Sequence, residues 1–579
     1  MPSFPPSDYP RPRIVRDRWQ SLNGEWEFAF DPDDRGVAEG WKDGSFDARI
    51  TVPFAHQWRM SGVDDQRMCD VVWYARDFDL TEEWDPHSVL LHFSAVDYEA
   101  TVWMNGEEVG FHRGGHTPFT MNPAVRAGRN RVVVRVLDRQ DKGQPRGKQA
   151  STGKPHGIDY WCTTGIWGSV WLEPVHPTHV GDLLIRPDLE GEALFVETVV
   201  YGARGDVEAR IGVYDDERLL SQAVQTTFDE PVRIALPAPR PWTPDDPFLY
   251  TVVVSLWKGQ ERLDEVRSYA GIRSIRLESG RFVLNGEPIT LRLVLDQGYW
   301  PESGLTPPSD DALRADVEWT KRLGFNGVRK HQKIEDARWL AWCDRLGLLV
   351  WDEMPSARAW SHETQQRLEE EWMEAVMRDR SHPCVIAWVP LNESMGYDGL
   401  DAGHPAQRHG VNRLVHLTRR LDPTRPVIDN DGWEQGAASD VVAVHDYSHS
   451  GKELAARYAD GKLPARIWSG SRASFLPGVD VAGRPILLTE VGGFLTRPEG
   501  PPETWDSMYR IYDSIDSGKA QEDKVVDLMA GIAAVPFLAG FCYTQLTDVE
   551  QELNGLLTYD RRPKVDVERV AAAVRAVGL

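Results

Sequence analysis

Val385-Ile386-Ala387-Trp388-Val389-Pro390-Leu391-Asn392-Glu393-Ser394 is an apolar run that ends abruptly in an amide and a carboxylate. A strand buried on both faces reads this way, and its change of character delivers polar groups to one open end of a sheet. The form recurs in Pro485-Ile486-Leu487-Leu488-Thr489-Glu490-Val491-Gly492-Gly493. Three further runs share it: Phe325–Arg329 ends in Arg, Leu348–Glu353 in a pair of acids, and Val441–Tyr447 in His and Tyr. Polar chemistry gathered at the C-terminal ends of buried strands, with helices between them, predicts a (β/α)8 TIM barrel.

Working outward, the region from 278 alternates helix and strand. Ser309 is placed to N-cap a helix with Asp310 and Asp311 in its first turn, and Leu323-Gly324 ends that helix before the next strand. Leu346-Gly347 repeats the phrase. Leu368, Trp372, Ala375 and Val376 have helical spacing, as do Val411, Leu414, Val415 and Thr418. Strands are expected at 289–295, 325–329, 347–352, 385–391, 426–429, 441–446, 485–489 and 538–543, which makes the eight of a barrel over 278–579. Upstream the texture is all-β. Residues 1–175 carry short alternating runs such as Trp26–Phe30 and Arg131–Val136, and Asn105-Gly106 between two such runs signals a hairpin. A jelly-roll β-sandwich is expected there, and an immunoglobulin-like β-sandwich over 176–277.

A chain of 579 residues exceeds one domain, and 41% hydrophobic with 27% charged residues is ordinary globular composition. The formal charge of −24 excludes nucleic acid and an anionic membrane surface as natural partners. Cys69, Cys162, Cys343, Cys384 and Cys542 are scattered without C-x-x-C spacing, so neither a disulfide framework nor a zinc site is expected. The first residues have no basic n-region or apolar h-region, and no run reaches the ~18 apolar residues of a membrane span, so the expected location is the cytoplasm.

Glycosidic cleavage needs two carboxyls, one to protonate the leaving oxygen and one to attack the anomeric carbon or activate water. Their pKa values must be pushed apart. Glu393 and Glu490, each ending a strand of one barrel, supply such a pair, and Arg329 is placed to hold a neighbouring carboxylate ionised.

At this point the residues resemble glycoside hydrolase family 2, which contains the β-galactosidases, β-glucuronidases and β-mannosidases. The resemblance rests on Leu22–Trp26, Trp103–Gly106 and Gly165–Leu172 in the first domain. In the barrel it rests on Asn326–Arg329, Gly347–Glu353, Leu391–Ser394, Pro485–Gly492 and Gly555–Lys564. It implies a retaining exo-glycosidase with Glu393 as acid/base, Glu490 as nucleophile, Asn392 on the hydroxyl next to the anomeric carbon and Tyr447 supporting the nucleophile. Asp159 resembles a sugar-binding Asp lent by the first domain. His331, Trp300 and Tyr543 are further pocket candidates.

The departures bear on substrate. Where glucuronidases carry an Asn-x-Lys motif this chain has Glu552 and Asn554, which argues against a uronate. Ala357 and Ala359 stand where large galactosidases place magnesium ligands, so no metal and no cofactor is expected. The first strand ends in Leu295–Trp300 and the eighth in Tyr543-Thr544-Gln545, unlike the well-known members. The expected activity is β-galactosidase-like, with β-galactofuranosidase/α-L-arabinofuranosidase or β-mannosidase as alternatives. From another class, a catalytically inactive sugar-binding protein uses the same fold. The expected partner is a carbohydrate, and the sequence leaves room for a homo-oligomer.

Overall fold

The computed structural model describes residues 8–80, 84, 89–228, 230–467, 470–496, 514–515 and 517–578. Up to Pro174 the described chain forms strands and two short 3-10 turns. A six-stranded and a four-stranded sheet enclose one core, with Tyr74, Val102 and Val134 from one sheet meeting Leu91 and Leu172 from the other. Glu99–Met104 and Glu107–Arg113 pair as the expected hairpin. Asn105 and Gly106 both take positive φ, 54° and 85°, the pair of left-handed residues that a two-residue I′ turn requires. Seven strands between His179 and Ala270 then form sheets of three and four around Val196, Ile211 and Val252. This is a second sandwich.

The third unit is a parallel barrel. Its ladder strands are β1 (Leu291–Asp296), β2 (Gly327–Lys330), β3 (Leu349–Glu353), β4 (Val385–Val389), β5 (Val442–Asp446), β6 (Ile486–Gly492) and β7 (Leu538–Thr544). They lie in the order β4-β3-β2-β1-β7-β6-β5. Among the described residues the helices are α1 (Asp310–Arg322), α2 (Ala337–Leu346), α3 (His362–Asp379), α4 (Pro405–Leu421), α5 (Gly451–Arg457), α6 (Gly518–Ala533) and α7 (Val567–Ala576). Ser309 accepts a hydrogen bond from Ala312 N and so caps α1. Gly347 closes α2 with φ 69°; a Cβ there would lie 2.2 Å from Pro244 O, so glycine is required twice over.

The expected strand at 426–429 is present in position but not as a ladder. Ile428 N donates to Trp388 O at 2.9 Å and Asp431 N to Leu391 O at 2.9 Å, with isolated parallel bridges Trp388↔Val427 and Asn392↔Asp431. Pro426 has no N–H to give. The Asp429 and Asn430 side chains accept from Gly436 N and Ser394 N in neighbouring turns, and Asp431 accepts from His445 of β5, which competes with ladder formation. This stretch fills the gap between β4 and β5.

The 23 tryptophans go largely to packing. Trp26, Trp73, Trp242, Trp339, Trp351, Trp372 and Trp388 are among the largest fully buried side chains. Both sandwiches dock on the barrel. His116 N donates to Glu371 of α3 at 2.6 Å, Thr306 Oγ1 donates to Trp167 O at 2.7 Å, and Trp242 Nε1 donates to Asp344 O at 2.7 Å.

Candidate active site

The C-terminal ends of β2, β3, β4, β5 and β6 converge on one guanidinium. Arg329, wholly buried at the end of β2, donates from Nε to Glu353 Oε2 at 2.7 Å and from Nη2 to Asn392 Oδ1 at 2.7 Å. Its Nη1 donates to Glu490 Oε1 and to Thr489 O, both at 3.1 Å, and Asp431 Oδ2 lies 3.6 Å away. Arginine suits this place because its planar fork engages several acceptors at once and stays charged when buried.

Glu490 also accepts a hydrogen bond on Oε2 from the Tyr447 hydroxyl. Burial alone would push its pKa up, but His445, Arg329 and the Tyr447 hydrogen bond outweigh burial and bring it down to about 2. Glu490 is therefore an ionised carboxylate throughout the neutral range.

Glu393 follows β4 in a turn where Glu393 and Ser394 both take positive φ, 51° and 54°. Such a conformation costs about 1–3 kcal/mol per residue. Neighbouring residues hold it: Glu393 N donates to Asp431 O at 2.9 Å, Ser394 N to Asn430 Oδ1 at 2.9 Å, and Ser394 Oγ to Glu434 at 2.7 Å. The Asp429–Glu434 stretch thus aims the Glu393 side chain. Asn392, immediately before it, uses its oxygen on Arg329 and leaves Nδ2 without a partner.

Between the two glutamates stands His445. Its Nδ1 donates to Glu393 Oε1 at 2.7 Å and lies 3.5 Å from Glu490 Oε2, while Nε2 donates to Asp431 Oδ1 at 2.9 Å. Burial alone would lower its pKa, but the carboxylates of Glu490, Asp431 and Glu393 overcome burial and raise it to about 10. The ring is an imidazolium linking both glutamates. One ligating atom from each of Glu393, His445 and Glu490 lies within 4.8 Å of the others.

The structure therefore brings together Arg329, Asn392, Glu393, Tyr447 and Glu490. His331 stands one step back, with Nδ1 2.9 Å from Glu353 Oε1. Asp159 reaches the barrel mouth, where its carboxylate pairs with Arg358 beyond β3 and its carbonyl accepts from Gln551 Nε2 at 2.9 Å. Trp300 and Tyr543 do not join the cluster. The Lys333 ammonium and the Arg561 guanidinium each lie over the Trp300 ring, 4.9 and 5.0 Å from its centroid. Tyr543 turns outward, its ring against Gly492 and its hydroxyl toward Gln521 of α6. Glu353 and His445 stood out in the sequence only as polar ends of apolar runs, without a site role, and Asp431 was not marked. The signal for His445 was its position two residues before Tyr447, the spacing that puts both on one face of a strand.

The same three atoms of Glu393, His445 and Glu490 are close enough to ligate a metal, but a ligating imidazole must be neutral and this one is held protonated. A second such group, Asp344, His382 and Cys384, is sealed in the core. There Asp344 already accepts from Tyr269 Oη at 2.8 Å and Cys384 N at 2.9 Å. Ala357 and Ala359 lie beside Gly396 and offer no ligand atom. No helix among the described residues is long and apolar enough to cross a membrane.

Comparison with known proteins returns one family across the chain. Residues 19–175 match the sequence profile for the sugar binding domain of glycosyl hydrolases family 2, 178–273 a further profile of that family, and 275–577 the profile for its TIM barrel domain. A β-galactosidase of Thermoanaerobacter pseudethanolicus is 31% identical over 400 residues, covering 66% of this chain and 51% of that protein. One from Pectobacterium atrosepticum is 26% identical over 555 residues, covering 86% and 50%. The chain thus spans about half the length of the galactosidases it matches. Among solved structures, a β-glucuronidase from Ruminococcus gnavus in complex with D-glucuronic acid superposes with a TM-score of 0.78 at 21% identity, covering 99% of this chain and 100% of that one. At that identity the likeness concerns the fold.

Proposed function

The chain belongs to family 2 of the glycosyl hydrolases, and from that premise we propose that it is a retaining exo-glycosidase removing a terminal, neutral sugar in the manner of a β-galactosidase. The observation that carries the reading is the pair Glu393 and Glu490, with carboxylate oxygens within 4.8 Å and Glu490 held ionised. Retaining enzymes keep their two carboxyls about 5–5.5 Å apart, whereas inverting ones leave about 6.5–9.5 Å for a water.

In the proposed first step a Glu490 oxygen attacks the anomeric carbon while the glycosidic bond breaks. The departing oxygen takes the proton carried by the Glu393–His445 hydrogen bond. Arg329 and Tyr447 fix the nucleophile, and Asn392 Nδ2 is free to donate to the hydroxyl beside the anomeric carbon. In the second step Glu393 removes a proton from water, the water oxygen attacks the same carbon from the vacated side, and the bond to Glu490 breaks. Two inversions restore the starting configuration.

Glu552 supports a neutral sugar over a uronate. It is buried, receives the Tyr160 hydroxyl, and stands where glucuronidases place the Asn of their carboxylate-gripping motif. Hydrolysis of aryl β-galactopyranoside, β-galactofuranoside, α-arabinofuranoside, β-mannoside and β-glucuronide, with the anomer first released read by proton NMR, tests the proposal. Preferential cleavage of the glucuronide contradicts the neutral-sugar reading, first release of the inverted anomer contradicts retention, and sugar binding without cleavage of any member favours the inactive sugar-binding alternative.

A further inference from the structure

The buried lysines of the barrel are occupied. Lys330 pairs with Asp296 and Glu335, at 2.5 and 3.0 Å. Lys333 pairs with Glu335 at 2.8 Å and donates to two carbonyls, and Lys564 pairs with Asp548 at 2.7 Å. Lys148 of the first sandwich is the exception. It is 5% exposed, yet its ammonium makes no hydrogen bond or ion pair with any described residue, and it is not among the sealed polar atoms of the interior. The little of this side chain that meets solvent therefore includes the charged end. An ammonium in so buried a side chain keeps its charge through that opening, where a water or a ligand oxygen can accept from it.

Its position is fixed from both sides. Arg146 N and Gly147 N donate to Ser356 O beyond β3, at 3.2 and 3.0 Å, and Arg358 Nη2 donates to Gly147 O at 3.0 Å. Gly147 has φ 60°, and a Cβ there would lie 2.3 Å from Gln332 O beyond β2, so this loop is pressed onto the barrel mouth. On the other side Gln149 donates to Asp97 at 2.8 Å and accepts from Thr163 N at 2.7 Å. Lys148 O accepts from Tyr160 N at 2.7 Å, and the Tyr160 hydroxyl donates to Glu552. The ammonium is close enough to Glu552 to act on its carboxyl and close enough to His331 to repel a proton there, while Glu552 in turn feels the charge of Glu490. Tyr160, bonded to the Lys148 carbonyl through its N–H and to Glu552 through its hydroxyl, ties the two residues together where this loop seats on the barrel mouth.

We infer that Lys148 is a specificity-determining residue, lent by the first sandwich to the barrel mouth, whose ammonium donates to a hydroxyl of the terminal sugar beside Glu552 as the neighbouring acceptor. An ammonium and a carboxyl side by side match a pair of adjacent hydroxyls, one accepting and one donating. A sugar carboxylate in the same place would meet Glu552. The inference rests on the proposed glycosidase reading, and binding separates the two.

The test uses the full chain with Lys148→Met, which keeps the apolar stem, and Lys148→Arg, which keeps the charge. In a Glu490→Gln background, calorimetric titration with D-galactose, L-arabinose, D-mannose and D-glucuronate reads binding without turnover. One neutral sugar is expected to bind, about 10–100-fold more weakly with Lys148→Met, and with Lys148→Arg recovering part of the loss. With Glu490 intact, kcat/KM on the aryl glycoside of that sugar should fall by a similar factor. One of its monodeoxy derivatives, already poor for the parent enzyme, should lose nothing further. Equal binding with and without Lys148, binding of no sugar at all, a Lys148-dependent preference for D-glucuronate, or an equal loss on every deoxy derivative each overturns the assignment. Absence of turnover with Lys148-dependent sugar binding retained would instead fault the glycosidase reading alone.

Discussion

Replacing His445 with Asn removes the one cation, among the described residues, that touches both glutamates. The rise of its pKa from 6.5 to about 10 corresponds to about 5 kcal/mol in favour of the charged ring. That rise occurs although Arg329 Nη1 lies 3.5 Å from Nε2. Across the 3.5 Å to Glu490 Oε2, two unit charges attract by about 5 kcal/mol at an effective dielectric of about 20. Losing that attraction lifts the Glu490 pKa by about three and a half units, from about 2 to about 5.5. The sign follows from the direction of the shift. The folded value of Glu490 lies below its reference of 4.5, so its contribution to stability is complete above that pH and fades as pH falls through about 2. The parent enzyme should then show no acid limb from its nucleophile in kcat/KM above about pH 4, and His445→Asn should acquire one centred at about pH 5.5. The assay is kcat/KM on an aryl glycoside from pH 4 to 9 at constant ionic strength. Alongside it, the rate of covalent inactivation by a 2-deoxy-2-fluoro glycoside reports the ionised nucleophile alone, and Tm at each pH separates titration from unfolding. Superimposable acid limbs in the two proteins, with both still folded, would refute the electrostatic role given to His445.

Three further outcomes are expected. Glu490→Gln should turn over no glycoside, whereas Glu393→Ala should still be glycosylated by substrates with good leaving groups and stall at deglycosylation, slowed by about 10²–10⁴-fold. Azide should rescue it to a glycosyl azide of retained configuration, and rescue of Glu490→Ala with retention instead would reverse the two roles. Activity measured after exhaustive chelation should match the untreated enzyme, and a reversible loss restored by magnesium would contradict the reading of Ala357 and Ala359. Glu550, half-buried and bonded to Trp161 N at the junction of first sandwich and barrel, has its pKa raised to about 8 by desolvation of its carboxyl, so its contribution is complete below about pH 4.5 and lost as pH rises through about 8. Glu550→Gln should therefore leave Tm unchanged at pH 5 and raise it by about 2–4 °C at pH 9, and an equal shift at both pH values would defeat this.

The parts legible in sequence were those that local rules govern. Continuous apolar runs ending in polar residues marked β2 to β6, and Ser309 and Gly347 marked helix ends through capping chemistry. Asn105-Gly106 marked a hairpin through its φ values. Face assignment was harder. Every residue of β7 is buried, so nothing in Leu538–Thr544 distinguishes inward from outward. Cys542 faces the charges of Arg329 and Glu490, while Tyr543, one position on, faces α6. Trp300 was ambiguous for a related reason: an indole at a strand end serves a sugar or two cations equally well in sequence, and here Lys333 and Arg561 lie over its ring. The joining of His445, Asp431 and Glu353 becomes visible only when five strand ends meet, because a network of buried charges is a property of the closed barrel and not of any one segment. Lys148 lies in a stretch without strand or helix period, where a sequence alone says little.

The loop that seats Arg146 and Gly147 on Ser356 has an evolutionary consequence. On the reading proposed above, bond breaking belongs to the barrel, while the side chain that reads the sugar, Lys148, arrives on another module. Insertions, deletions and recombination in that loop can therefore redirect the enzyme to a new glycoside while the inherited chemistry stays untouched. A lineage built this way can diversify its diet by changing the lid of the vessel and keeping the fire beneath it.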